Sequence, residues 1–267
     1  MNEKYEVARE IIPFLEDLIP GVSVTLIVSV VRIVFIAAVS LFLVFTFSTV
    51  GWRLFLKQRA RHYLKNMPVF SEIDSEFAEE EKTSLREMAI NCAVLGNQID
   101  FHTNRRHNSR YVSSLVYKMC KNLGYEEKKT ILYTCASMIY DVGFLDIPAS
   151  VFHTEVLSAK ERKSLHAHIM NSYEFLSFIP KEYMSIFFSA AMFHHENYDG
   201  SGYPEGLSKK DIPEIAMMIR IVESYVALTA RRDYRKVFSR EMAVSELRRN
   251  SSFYSPDFLL CLERVVL

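Results

Sequence analysis

The hydrophobic pattern opens with an uncharged apolar run from Ile33 to Val50, IVFIAAVSLFLVFTFSTV. Wound as a helix, that run rises about 27 Å, close to the ~30 Å hydrocarbon thickness of a bilayer. It predicts a membrane-spanning helix within an anchor at residues 22–52. Apolar residues continue upstream through Val22–Val31, broken only by Arg32. A span that starts at Ile33 leaves Arg32 at the interface, where it snorkels, whereas a start near Val24 would bury the charge. The first reading is preferred. Ahead of the anchor, YEVAREIIPFLEDLI (5–19) places apolar side chains at helical spacing and ends at Pro20-Gly21, an amphipathic segment over 1–21.

Beyond the anchor, residues 53–84 form a basic juxtamembrane stretch followed by an acidic linker (Glu72, Asp74, Glu76, Glu79, Glu80, Glu81). From Phe77 onward the period is helical, with helices expected over 77–100, 108–123, 126–140, 158–178, 181–195, 213–230 and 239–249. Asn108 and Ser158 are start signals; Gly124, Gly143, Pro180 and the Gly200–Gly206 cluster are stops. No alternating strand pattern and no repeat is visible. The expectation is one all-α domain over 85–267 behind a single transmembrane helix.

Composition narrows this further. Thirty-two basic and 32 acidic residues cancel, which excludes a polycationic surface for gripping DNA. A hydrophobic content of 49% excludes disorder. The four cysteines (Cys92, Cys120, Cys135, Cys261) form no CxxC pair and read as buried thiols in a reducing compartment. Arg53, Lys57, Arg59, Arg61 and Lys65 follow the span, whereas the residues before it hold only Lys4, Arg9 and Arg32. By the positive-inside rule the C-terminal domain lies in the cytoplasm, on a single-pass inner-membrane protein, with Trp52 at the interface. The acidic N-terminal region and the length of the apolar run argue against a cleaved signal peptide.

The chemistry concentrates in His194-His195-Glu196-Asn197-Tyr198-Asp199-Gly200-Ser201-Gly202-Tyr203-Pro204. A His pair by itself is as often an ordinary hydrogen-bonded pair as a ligand set. His168 and Asp141, each near a helix end, favour the metal reading, because imidazoles with a carboxylate suit a borderline divalent ion such as Fe, Mn or Zn.

HHENYDGSGYPEGL, followed by Ile212-Pro213 and ALTARRDYR (227–235), resembles the HD-GYP family of cyclic di-GMP phosphodiesterases, as do TCASMIYDVGFLDIP (134–148) and LSAKERKSLHAHI (157–169). The resemblance covers roughly residues 100–258. It implies an all-α HD-type fold and a site where metal ions activate a water to cleave a phosphodiester.

Carried over position by position, it makes Asp141 the catalytic and metal-binding carboxylate and His168, His194 and His195 further ligands, with Glu223 where the family has a late Asp. It makes Arg232, Arg235, Gly202, Tyr203 and Pro204 ligand-binding, with a solvated helix end as the lesser reading of Arg231, Arg232 and Arg235. Four positions depart from the family: Asn104 stands for a Glu, Asn108 and Tyr140 for two His, and Phe144 for a Lys. His107 is offset from Asn108 by about 100° of helix. A Tyr140 phenolate would be a ligand for ferric iron. One half of a two-ion site is thus kept and the other is not, and losing a single electrostatic contact typically costs about 100- to 1000-fold in rate.

The resemblance therefore implies a domain holding one ion at reduced occupancy, or none. Such a domain binds cyclic di-GMP, or docks a diguanylate-cyclase domain, with little turnover. An active phosphodiesterase yielding pGpG or GMP is the alternative, and a scaffold the third reading. The lipid bilayer is a partner, and a homodimer follows by analogy. His62 and His102 are expected to be exposed, His153 and His166 to flank the site, and Phe187-Phe188 and Met217-Met218 to be core.

Overall fold

The computed structural model describes residues 24–65, 73, 77–154, 158–230 and 237–267. The segment 1–21, most of the acidic linker, and Arg231, Arg232 and Arg235 lie outside the described residues. Two units are distinguished, Met1–Leu56 and Lys57–Leu267.

In the first unit the chain is helical from Val24, and this helix, α1, runs to Lys65. Its most apolar stretch, Ser29–Ser48, has a mean hydropathy of 2.6 and is long and apolar enough to cross a membrane. Phe35, Leu41, Phe42 and Phe47 stand exposed along it. The helical backbone continues past the apolar run into the basic stretch, where the sequence suggested the start of a linker.

The regular elements of the second unit, among its described residues, are helices joined by turns and loops: α2 (Glu79–His102), α3 (Asn108–Asn122), α4 (Glu127–Ala136), α5 (Ala159–Ala167), α6 (Met184–Phe193), α7 (Glu214–Thr229), α8 (Arg240–Arg249) and α9 (Pro256–Val266). Three acidic residues occupy the first turn of α2, favourably placed for the helix dipole. Ser158 and Glu161 form a capping box on α5: the Ser158 hydroxyl accepts from the Glu161 N–H, and the Glu161 carboxylate accepts from the Ser158 N–H. Ser239 caps α8, and Pro256 sits at the first turn of α9.

Helices α3 and α7 form the centre. Val112, Val116, Met119 and Cys120 recur at helical spacing on one face of α3; Ile215, Met218, Ile219, Val222 and Val226 do so on α7. Helices α4, α7 and α9 pack on α3, while α6 and α8 close on α7. All four cysteines are free and buried. Phe187 and Met218 are core, whereas Phe188 is exposed at its edge.

Three elements differ from the sequence reading. The helix expected over 126–140 stops at Ala136, because the Ser137 hydroxyl bonds to the Thr134 carbonyl (2.8 Å) and the amides of Met138 and Ile139 fold back three residues (3.1 Å each). That tight turn delivers Tyr140 and Asp141 into the interior. The helix expected over 158–178 stops at Ala167, with a separate short turn at Tyr173–Leu176. Helix α9 was not anticipated, although Pro256-Asp257 is a start signal.

Candidate metal centre

Asp141, His168, His194 and His195 all sit just beyond a helix end, so the packing of α4, α5 and α6 brings four short side chains to one point. Their ligand atoms lie within 4.8 Å of one another. Gly143 makes the approach possible: a Cβ there would lie 1.8 Å from the His168 carbonyl oxygen.

The tautomers follow from the hydrogen bonds. His168 Nδ1–H donates to the Leu165 carbonyl (2.5 Å) and His194 Nδ1–H donates to the Ala190 carbonyl (2.9 Å). In their neutral forms both imidazoles therefore turn an Nε2 lone pair inward. The two Nε2 atoms are 3.3 Å apart, and each is 3.4 Å from Asp141 Oδ1. Asp141 Oδ1 is buried and accepts no hydrogen bond. Three acceptors facing one another without a donor repel, and a cation among them removes the repulsion; backbone-tethered Nδ1–H groups are the usual support of metal-binding histidines. The residues present fit a divalent ion.

The other carboxylate oxygen is engaged. Arg105, in the loop between α2 and α3, places a guanidinium nitrogen 2.6 Å from Asp141 Oδ2. Burial would raise the Asp141 pKa, but the Arg105 guanidinium opposes it, and the carboxyl is held well below its usual range. Burial keeps His195 from protonating, and the neighbouring His194 acts in the same direction.

Tyr140 is fully buried, and its hydroxyl accepts from Asn108 Nδ2 (3.1 Å). Burial, then the charges of Asp141 and Glu223, push its pKa well above 10, which argues against the phenolate form. Phe144 stacks on His168 (4.1 Å between centroids, 25°) and meets Phe152 edge-on. Glu223 stands beside the cluster without joining it, and burial together with Asp141 raises its pKa.

The glycine-rich loop forms the rim. Tyr203 stacks between His195 (4.8 Å) and His166 (4.6 Å), and its N–H donates to the His195 carbonyl. Gly202 permits this, since a Cβ there would lie 2.2 Å from the Asn197 nitrogen. The Tyr203–Pro204 peptide bond is cis. Glu196, buried beneath, accepts the N–H groups of Glu205 (2.8 Å) and Gly206 (3.1 Å). A cavity of about 310 Å³ opens beside this rim, lined in part by His195, Tyr203, Arg220 and Glu223.

The structure thus gathers Asp141, His168, His194 and His195, sets Glu223, Tyr140, Asn108, Phe144, Gly202 and Tyr203 around them, and leaves Asn104 and His107 exposed in left-handed turns. His102 is half-buried and bonded to the Ile147 carbonyl (2.7 Å) rather than exposed. Arg105 and Arg220 were missed. The Arg105-Arg106-His107 run in a helix–helix loop was the available signal for the first. Arg220 sits in an otherwise apolar helical stretch; it donates to Asn197 Oδ1 (2.9 Å) and Ser224 Oγ (2.7 Å) at the cavity wall.

With this geometry in place, comparison with known proteins is informative. A profile of the HD domain matches residues 87–257. A cyclic di-GMP phosphodiesterase of Thermotoga maritima is 27% identical over 201 residues, covering 73% of this chain and 54% of the relative. The cyclic di-GMP phosphodiesterase response regulator RpfG of Xanthomonas campestris is 30% identical over 138 residues (51% and 36%). A 3'3'-cGAMP-specific phosphodiesterase of Vibrio cholerae is 33% identical over 125 residues (46% and 24%). The chain therefore spans about half or less of the length of these relatives. Among solved structures, Bd1817, a HDG"Y"P protein from Bdellovibrio bacteriovorus, superposes with a TM-score of 0.51 at 14% identity, covering 81% of this chain and 79% of that one, a likeness of fold.

Proposed function

The chain belongs to the HD domain family, in its HD-GYP branch, and on that premise we propose that it is a membrane-anchored cyclic di-GMP-binding protein with a one-ion centre and little turnover. The anchor holds the domain at the cytoplasmic face of the inner membrane, as the apolar stretch Ser29–Ser48 and the basic residues after it support.

The observation that carries the reading is the contrast between the two sides of Asp141. Facing Oδ1, two tethered imidazoles offer lone pairs. On the other side Arg105 pairs with Oδ2, while the hydrogen-bonded Asn108–Tyr140 pair and the Phe144 ring, packed against His194 and His168, put a neutral amide, a neutral phenol and a hydrocarbon face where ion-binding groups would stand. A bound divalent ion would supply Lewis acidity toward a phosphoryl oxygen. The protein supplies the rest. Arg220, with two of its donors spent on Asn197 and Ser224, faces the cavity as a phosphate-binding cation. Tyr203 lines the cavity from the rim. Glu223 lines the same cavity, its pKa raised by burial and by Asp141.

The test uses the full chain in detergent. Elemental analysis should find no more than one Fe, Mn or Zn per chain. Calorimetry should show cyclic di-GMP binding, with 3'3'-cGAMP as the comparison ligand. Hydrolysis should run at least about 100-fold slower than that of the Thermotoga relative, by the loss of one electrostatic contact. The converging acceptors themselves favour the alternative, an active phosphodiesterase producing pGpG or GMP. Hydrolysis at the relative's rate, abolished by Asp141→Ala, would establish it and overturn the binding-only reading.

A further inference from the structure

We propose that the Arg105 guanidinium occupies the place of a second cation at Asp141 and so restricts this centre to a single ion. The inference rests on the metal reading above and goes further, assigning the restriction to one residue.

A carboxylate in a two-ion centre can give one oxygen to each ion, the ions lying roughly 3.5–4 Å apart. Asp141 has its two oxygens in opposite circumstances. Oδ1 is buried, lacks a hydrogen-bond donor, and faces the lone pairs of His168 and His194. Oδ2 is 2.6 Å from a guanidinium nitrogen, at the short end for a charge-assisted bond. The position that a second ion would need is filled by a positive charge belonging to the chain.

The guanidinium is held there from three directions. Its Nε–H donates to Thr103 Oγ1 (3.1 Å), and the Thr103 hydroxyl is itself fixed by donating to the Ile99 carbonyl (2.8 Å). Its carbon lies 5.1 Å from the centroid of the Phe144 ring. Its outer nitrogen is bonded to Asp141. Thr103 and Asn104 end α2, and the left-handed residues Asn104 and His107 bracket Arg105, turning it inward while they face solvent. Phe144 thus serves both neighbours, stacking on His168 and supporting Arg105. A second divalent ion brought to Oδ2 would meet a fixed like charge within a few ångströms, in a partly buried site where screening is weak.

A shortage of ligands would also give one ion, because Asn108 and Tyr140 are poor donors to a metal. The experiment separates the two causes. Four full-length proteins are prepared in detergent: wild type, Asn108→His with Tyr140→His, the same pair with Arg105→Ala, and the same pair with Arg105→Gln. Each is saturated with Mn²⁺ or Zn²⁺, desalted and assayed by elemental analysis and native mass spectrometry, with circular dichroism as the folding check.

The expected stoichiometries are one ion for wild type, one for the double variant, and two for either triple variant. Two ions in wild type or in the double variant, where Arg105 is present, would overturn the inference while leaving the metal reading intact. That arm needs no change at Arg105 and decides even where the triple variants do not fold. One ion in a folded triple variant would also overturn it. No ion in any protein would sink the metal reading, and the inference with it.

Discussion

Gly143→Ala is the most economical probe of how the centre is assembled. The new Cβ would lie 1.8 Å from the His168 carbonyl oxygen, 2.7 Å from its carbonyl carbon and 3.2 Å from its Cα. These are backbone atoms, so no rotamer change relieves the contact; the two segments have to part by about 1 Å. Overfilling a packed site costs about 1–3 kcal/mol, and more when backbone is the obstacle. With about 3 kcal/mol, and about 2–4 °C per kcal/mol for a domain of this size, the melting temperature should fall by about 6–12 °C. The same displacement moves His168 Nε2 away from Asp141 Oδ1, now 3.4 Å distant. Metal–ligand bonds tolerate only about 0.2 Å, so Mn²⁺ affinity should drop at least about tenfold. Thermal-shift measurements and calorimetric Mn²⁺ titration of the full chain in detergent read both effects. The control is Gly51→Ala, where nothing lies within 4 Å of the added carbon. A Gly143→Ala protein melting within about 2 °C of wild type, with unaltered Mn²⁺ affinity, would show that the Gly143–His168 contact does not set the site.

Two further substitutions test the rim and the support of α3. Glu196→Ala strips the acceptor from the Glu205 and Gly206 amides; at about 1.5–3 kcal/mol for a hydrogen bond to a charged group, the loop should loosen, seen as faster hydrogen exchange at those amides, and unchanged exchange would refute the anchoring role. Asp100, which accepts from the Ser109 N–H and hydroxyl at the start of α3, has its pKa raised by burial from 3.8 to about 6. The folded state therefore holds a proton that the unfolded chain has lost between those values, so this group's contribution to stability is full below pH 4 and declines as pH rises through 6. Asp100→Asn should gain on wild type by about 2–3 kcal/mol between pH 4 and pH 7, at 1.36 kcal/mol per unit; a difference that stays flat with pH, in thermal melts at several pH values, would contradict it.

Much of this was legible in the chain before the fold was known, for identifiable reasons. An uncharged run as long as Ile33–Val50 has few alternatives to a span-length helix. Helices with a one-sided apolar face, α3 and α7 above all, declare themselves by period. His168, His194 and His195 stand out because the glycine-rich turn after them is a rare local pattern. What escaped notice depends on tertiary position. Arg105 is one of several cations beside polar residues, and only the left-handed turns at Asn104 and His107 aim it at a carboxylate 36 positions away in sequence. The early end of α4 was hidden because TCASMIY holds no Gly or Pro to mark a stop; the i+3 bonds at Ser137–Ile139 carry Asp141 into the interior. Helix α9 is short and lies beyond the motifs, and its amphipathic face has meaning only against α3 and α7.

The departures from the family pattern form a connected set. Were Asn108, Tyr140 and Phe144 isolated losses, Asp141 would keep a second buried oxygen with no positive partner. Removing one partner from a buried ion pair costs about 3–5 kcal/mol, a large share of a typical domain's stability. Instead that oxygen is paired with Arg105, the guanidinium rests on the ring at position 144, and Tyr140 receives the amide of Asn108. Each replacement satisfies a group that another would have stranded. On the reading proposed above, such a centre keeps its shape through side chains where a two-ion site keeps it through metal. A fixed guanidinium can balance the charge of a phosphate, but it cannot lower the pKa of a bound water as a metal ion does. On the one-ion reading proposed above, charge balance is retained where water activation is weakened, the division expected of a site that holds a phosphodiester more readily than it cleaves one.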